Sequence, residues 1–141
     1  MSAPLPACAA SHRTGLAHAL LREIAWLLNR LNETGEEGAI DLRSLPMTDA
    51  DREELKELLG SGEVSANLEV AGASSVEETG FAGVWWVRHF AGDERVVSEQ
   101  IVVTRVPEIL IAHRDDITAA SKRIMEIIEA EPSAVAKETT P

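Results

Sequence analysis

Four histidines, one cysteine and a glycine-flanked serine are the side chains with the reach for nucleophilic, acid–base or metal chemistry, and their spacing favours none of the three. His12, His18, His89 and His113 fall on a tail, a helix, a strand and a loop, without an HExxH-like pair or a cysteine nearby. They read as solvent-facing or hydrogen-bonded structural histidines. Cys8 stands alone, so it can neither close an internal disulfide nor supply a four-thiolate site, and it has no positioned base beside it. Gly60-Ser61-Gly62 lacks the Lys-Ser/Thr of a phosphate loop and runs into Glu63, which repels phosphate. The expectation is a chain with no catalytic residue, no metal site and no cofactor.

Binding is the better-supported chemistry. Asp49, Asp51, Glu53, Glu54 and Glu57 share a short helix whose outer face they are expected to form. Carboxylates spread around a helix seldom converge on one ion, so this is read as a solvated face able to steer a basic partner. Trp85-Trp86 is more pointed, because neighbours on a strand face opposite sides of a sheet. Phe81, Trp85 and Val87 share one parity and Val84, Trp86 and Phe90 the other, so the sheet is apolar on both faces. Either helices cover both faces, or one face docks a partner or a second copy of the chain. Arg88, Glu99 and Arg105, interleaved in these strands, are rim contacts or cross-strand ion pairs. The candidate partner-binding residues are therefore Trp85, Trp86, Arg88, Glu99 and Arg105 on the sheet and Glu53, Glu54 and Glu57 on the helix.

The elements that position them follow from hydrophobic period. From Thr14 to Asn32, Leu16, Leu20, Ile24, Leu27, Leu28 and Leu31 recur at three- and four-residue steps, a helix that Gly35 and Gly38 end. Residues 39–43 alternate as a short strand. Thr48 and Asp51 resemble a capping box for a second helix carrying Ala50, Leu55, Leu58 and Leu59, stopped by Gly60. Beyond Glu63 the period becomes two: a strand through Val64, Ala66, Leu68 and Val70, and one from Val76 to Phe90 with a bulge or bend at Gly80 and Gly83. A hairpin at Ala91-Gly92-Asp93 then leads into a strand over 95–106. Asp115 or Asp116 is expected to cap a last helix bearing Ile117, Ala120, Ile124, Ile127 and Ile128. The order predicts an α+β fold, a mostly antiparallel sheet made of a three-stranded meander plus a short extra strand, packed with three helices. One domain over 13–130 is expected, with 1–12 and 131–141 as flexible tails.

At 141 residues and 45% hydrophobic, the chain is large enough for one core and too apolar for wholesale disorder. Its net charge of -11 argues against nucleic acid and anionic lipid. Most of it lies between residues 36 and 80, where twelve carboxylates meet three cations. No apolar run approaches the roughly 20 residues of a bilayer span. Before Cys8 no Lys or Arg precedes the apolar stretch and two prolines break it, so no export signal is read there. A reducing, cytoplasmic location is expected.

Five blocks, taken in order, carry a resemblance: residues 38–47 (GAIDLRSLPM), 62–66 (GEVSA), 76–79 (VEET), 83–87 (GVWWV) and 106–110 (VPEIL). Over residues 16–128 the chain resembles the HupH/HyaF-type hydrogenase expression proteins. The resemblance implies an accessory, chaperone-like protein in assembly of nickel–iron uptake hydrogenases, without catalysis of its own. Its implied partners are the iron–sulfur small-subunit precursor before export and other hydrogenase maturation factors. Members of that family are longer, so this chain is expected to represent one conserved-region module. A homo-oligomeric regulatory or structural domain is the alternative reading.

Overall fold

A computed structural model describes residues 12–69 and 72–130. Of the expected tails, 1–12 and 131–141, all but His12 lie outside the described residues, as do Cys8 and the strand position Val70. The chain divides into two units, one running to Pro107 and the other beginning at Glu108.

In the first unit, helix α1 (Leu16–Thr34) buries Ala17, Leu20 and Ile24, with Leu16, Leu21, Leu27, Leu28 and Leu31 packed around them. Fully burying each aliphatic side chain contributes about 1.5–3 kcal/mol. The helix stops at Gly35, whose φ of 80° lets its N–H reach back to the Leu31 carbonyl. Strand β1 (Gly38–Asp41) follows, then a 3₁₀ turn at Leu42–Ser44 and helix α2 (Asp49–Leu59). Strands β2 (Ser65–Glu69), β3 (Ala73–Glu78), β4 (Val84–Phe90) and β5 (Val96–Val103) complete one antiparallel sheet in the order β1-β5-β4-β3-β2.

Among the described residues the fold is α+β with three helices, and the sheet has five strands where four were expected. The extra strand arises at Gly80 and Gly83. These glycines do not bend one long strand but reverse the chain, so that residues 76–90 supply parts of both β3 and β4. The bulge sits instead between His89 and Phe90, where β4 slips against β5. The last strand also ends at Val103, earlier than expected, because the Thr104 N–H turns to the Gly83 carbonyl.

One face of the sheet carries the helix-packed core. Ile40, Val84, Trp86, Ile101 and Val103 meet Leu20 and Ile24 of α1, Leu42, and Leu55 and Leu59 of α2. On the opposite parity Val76, Trp85 and Val87 are also buried. Leu58, placed by its period on the buried stripe, is instead partly solvent-exposed.

The second unit holds a 3₁₀ turn at Glu108–Leu110 and helix α3 (Arg114–Ala130), none of whose residues is buried. Ile117, Ile124, Ile127 and Ile128 are each more than half exposed. His113, rather than Asp115 or Asp116, begins it: the His113 Nδ1 accepts the Asp115 N–H and its carbonyl accepts from Asp116 and Ile117.

The expected capping box forms at α2, and it does more than cap. Thr48 Oγ1 accepts the Asp51 N–H at 3.0 Å and Asp51 Oδ2 accepts the Thr48 N–H at 3.2 Å. Asp51 belongs not to the outer face but to the interior, with no exposed surface. Its carboxylate also accepts the Thr14 N–H at 2.7 Å and hydroxyl at 2.6 Å, tying the start of α1 to the start of α2. Burial by itself would push this carboxyl up, but the hydrogen bonds from Thr14 and Thr48 outweigh it and hold it below its ordinary value. A carboxylate depressed in the folded state adds stability above the unfolded pKa and loses it as pH falls through the folded one. Asp51→Asn should therefore cost about 1–3 kcal/mol at neutral pH. The gap between wild type and variant, followed by urea unfolding at a series of pH values, should narrow below about pH 4. A gap that stays constant into acid would show that the charge of Asp51 contributes nothing.

Candidate functional site

The residues singled out as candidates separate into a buried network and an outer surface. Glu99, nearly fully buried on β5, lies opposite Arg88 on β4, and the pair is bonded across the strands from Arg88 Nε to Glu99 Oε2 at 2.8 Å. The same oxygen accepts the Trp86 indole N–H at 2.7 Å. The other carboxylate oxygen pairs with Arg52 of α2. Arg88 extends the chain of charges to Glu77 of β3 at 3.2 Å, and its guanidinium lies 5.1 Å from the Trp86 ring centroid. Arg88 and Glu99 thus form a cross-strand ion pair, and Glu99 ties α2 to the sheet through Arg52. Every buried side-chain nitrogen and oxygen among the described residues has a hydrogen-bond partner.

Both tandem tryptophans are buried, Trp85 at 6% and Trp86 at 3% exposure, so neither stands out on an open face in this structure. The Trp85 indole N–H donates to the Thr104 carbonyl at 3.1 Å. Arg105 is exposed beside Gly83. The open tryptophan is Trp26, 58% exposed on α1 and faced by the Arg30 guanidinium at 5.3 Å. It was overlooked in the sequence, although it falls off the α1 apolar stripe, two positions past Ile24, which is a legible sign of outward aim.

The acidic helix divides in the same way. Glu53 and Glu57 are exposed, whereas the Glu54 side chain is only 14% exposed, 3.5 Å from Arg13 and 3.7 Å from His18. Glu57 also lies 3.5 Å from Arg13. The outward carboxylates of α2 are therefore Asp49, Glu53 and Glu57.

A groove of about 430 Å³ opens between the C-terminal end of α2 and the β2–β3 hairpin, lined by Lys56, Ser61, Glu77, Glu78, Thr79 and Trp86. Its wall is fixed by hydrogen bonds from Gly62 N–H to Glu78 O and Gly80 N–H to Leu59 O, both 2.8 Å. Gly62 is required there, since a Cβ would meet the Thr79 carbonyl at 2.5 Å. Lys56 reaches over the Trp86 ring at 6.0 Å and has no carboxylate within 4.0 Å among the described residues. The groove leaves no mark in local sequence pattern: Gly60-Ser61-Gly62 fails as a phosphate loop, and the other walls come from residues distant in the chain.

The histidines stay apart. His89 Nδ1 meets Ser74 Oγ at 2.6 Å, His18 faces Glu54, and His113 caps α3. Among the described residues no three His, Cys, Asp or Glu side chains gather as a metal site, and no helix is long and apolar enough to cross a membrane.

Comparison with known proteins gives a consistent picture. Residues 16–131 match the model of the HupH hydrogenase expression protein, C-terminal conserved region. The chain is 33% identical over 92 residues to the hydrogenase expression/formation protein HoxQ of Azotobacter vinelandii, covering 65% of this chain and 32% of that protein. It is 27% identical over 114 residues to the hydrogenase-1 operon protein HyaF of Escherichia coli, covering 81% of this chain and 38% of that protein. It thus spans about a third of the length of these curated relatives. Among solved structures, the hydrogenase expression protein HupH from Thiobacillus denitrificans superposes with a TM-score of 0.81 at 44% identity, covering 84% of this chain and 99% of that one.

Proposed function

The chain belongs to the HupH hydrogenase expression protein family through that family's C-terminal conserved region, and from this premise we propose that it is a non-catalytic binding factor in hydrogenase maturation. Its partner in this reading is the iron–sulfur small-subunit precursor, met in the cytoplasm before export, alongside other maturation factors. The observation that carries the reading is the outward row of carboxylates on α2. Asp49, Glu53 and Glu57 project from a helix whose other side, through Leu55 and Leu59, is locked into the core. A rigidly held anionic face raises the encounter rate with a basic segment without needing deep contacts.

The test is a double variant, Glu53→Gln with Glu57→Gln, leaving Glu54 intact because of its contacts with Arg13 and His18. It should fold with stability within about 0.5 kcal/mol of wild type. At low salt it should associate with the small-subunit precursor roughly two- to fivefold more slowly, and the difference should fade near physiological salt, where the Debye length is about 8 Å. Equal rates at low salt, or the same salt response from a precursor stripped of its basic leader, would remove the helix as the guiding surface.

A further inference from the structure

β2 ends the sheet opposite β1 and, among the described residues, has β3 as its one strand neighbour. The direction of its free backbone groups can be worked out. The Glu78 N–H donates to the Val64 carbonyl at 2.8 Å, and the next register pair is Ser65 with Glu77. In an antiparallel ladder, hydrogen-bonded and non-bonded pairs alternate, so Ser65 and Glu77 form a non-bonded pair. The same holds for Asn67 with Ser75 and Glu69 with Ala73. Ser65, Asn67 and Glu69 consequently turn their N–H and C=O groups away from β3 toward the open edge, and all three side chains are exposed. The strand has no proline, lysine or bulge of the kind that blunts an edge.

The edge also lies on the groove. Ile40, Ile101, Trp86, Glu77 and Ser65 are successive register partners across the five strands, so they form one row on the helix-covered face. A residue added opposite Ser65 would continue this row and lean over the groove. It would stand two strand spacings, about 10 Å, from Glu77, within the joint reach of a long cationic side chain and the Glu77 carboxylate. The charge around it selects the occupant. Residues 63–80 contain Glu63, Glu69, Glu77 and Glu78 and no Lys or Arg, so even with Lys56 on the α2 side of the groove and Arg88 bonded to Glu77 the carboxylates outnumber the cations four to two. Two copies of this hairpin placed edge to edge would oppose like charges, which disfavours self-pairing.

We infer that the free edge of β2 accepts an extended segment of a partner protein as a sixth strand, with alternate basic side chains of that segment laid along Ser65, Asn67 and the Glu77/Glu78 groove. Main-chain hydrogen bonds give the pairing its affinity and the carboxylates give it selectivity, the division of labour of strand addition. The inference rests on the reading of the chain as a binding factor but not on which protein supplies the segment.

The probe is the peptide acetyl-Ser-Arg-Thr-Arg-Thr-Arg-Ser-amide, titrated into the full chain and followed by amide NMR, with a citrulline-for-arginine peptide as its neutral counterpart. The expected result is saturable binding, shifts and slowed hydrogen exchange at the Ser65, Asn67 and Glu69 amides, and affinity about tenfold weaker for the citrulline peptide or in Glu77→Gln/Glu78→Gln. Asn67→Pro should keep the fold, since that N–H points off the sheet, and should abolish the edge shifts. Shifts confined to α2 around Glu53 and Glu57, equal binding of the citrulline peptide, undiminished binding to folded Asn67→Pro, or concentration-dependent dimerisation through β2 would each overturn the inference. A precursor that still associates while the peptide leaves the edge untouched overturns the edge site alone. A peptide that docks on the edge while the precursor fails to associate upholds the site and removes the proposed partner.

Discussion

Truncating Trp86 to Ala is expected to destabilise the protein by roughly 3–5 kcal/mol, and truncating Trp85 to Ala by a comparable amount. The two side chains leave opposite faces of β4, so each variant opens a cavity in a different apolar layer. Trp86 lies in the cluster with Val84, Ile101, Leu55 and Leu59, and its loss also deprives Glu99 of an indole donor at 2.7 Å. Trp85 lies on the parity of Val76 and Val87, and its loss leaves the Thr104 carbonyl without its 3.1 Å donor. Conservative Trp→Phe changes keep one aromatic ring but give up the N–H and part of the volume, so they should recover part of the loss. Urea unfolding of the four variants checks this. Trp85→Ala within about 0.5 kcal/mol of wild type, the range of an ordinary surface change, would mean that its face is open in solution.

Much of this architecture was readable from local pattern. The α1 stripe, the Thr48–Asp51 box and the glycine stops depend on neighbours in sequence, where side-chain spacing fixes geometry. What escaped depended on distant partners. Asp51 looks like one more carboxylate of an acidic helix, and only Thr14, far away in sequence, turns it inward. The stretch 76–90 looks like one interrupted strand, because glycines mark a break without saying whether the chain bends or reverses. At the candidate site, size and exposure diverge. Trp85 and Trp86 attracted notice by size, while the open tryptophan, Trp26, lay in a helix where one outward aromatic does not disturb the apolar period. Arg88 and Glu99 were legible only as rim contacts or a cross-strand pair, and Arg52 not at all, since its part in the network depends on how α2 crosses the sheet.

That network supports the second large effect. Glu99→Gln is expected to cost roughly 3 kcal/mol, the lower end of the range for removing one partner from a buried ion pair. The lower end applies because the Arg52 side chain is 31% exposed and Arg88 keeps Glu77 as a second partner. The glutamine keeps the volume, so the loss is electrostatic: two guanidinium groups then share a neutral amide whose NH₂ is a donor facing donors. Glu99→Leu combined with Arg88→Met should lose less than the sum of the single changes, because the charges that need compensation are removed together. Adding Arg52→Met should bring stability still closer to wild type. If Glu99→Gln unfolds within about 0.5 kcal/mol of wild type, or the losses of Glu99→Leu and Arg52→Met simply add, the carboxylate does not hold α2 to the sheet. The groove wall that α2 provides through Lys56 must then be fixed by Leu55 and Leu59 alone. If the coupling is as large as the geometry implies, Glu99→Gln should also loosen the groove. Amide exchange at Ser61, Gly62 and Thr79 should then rise more than the loss of global stability accounts for.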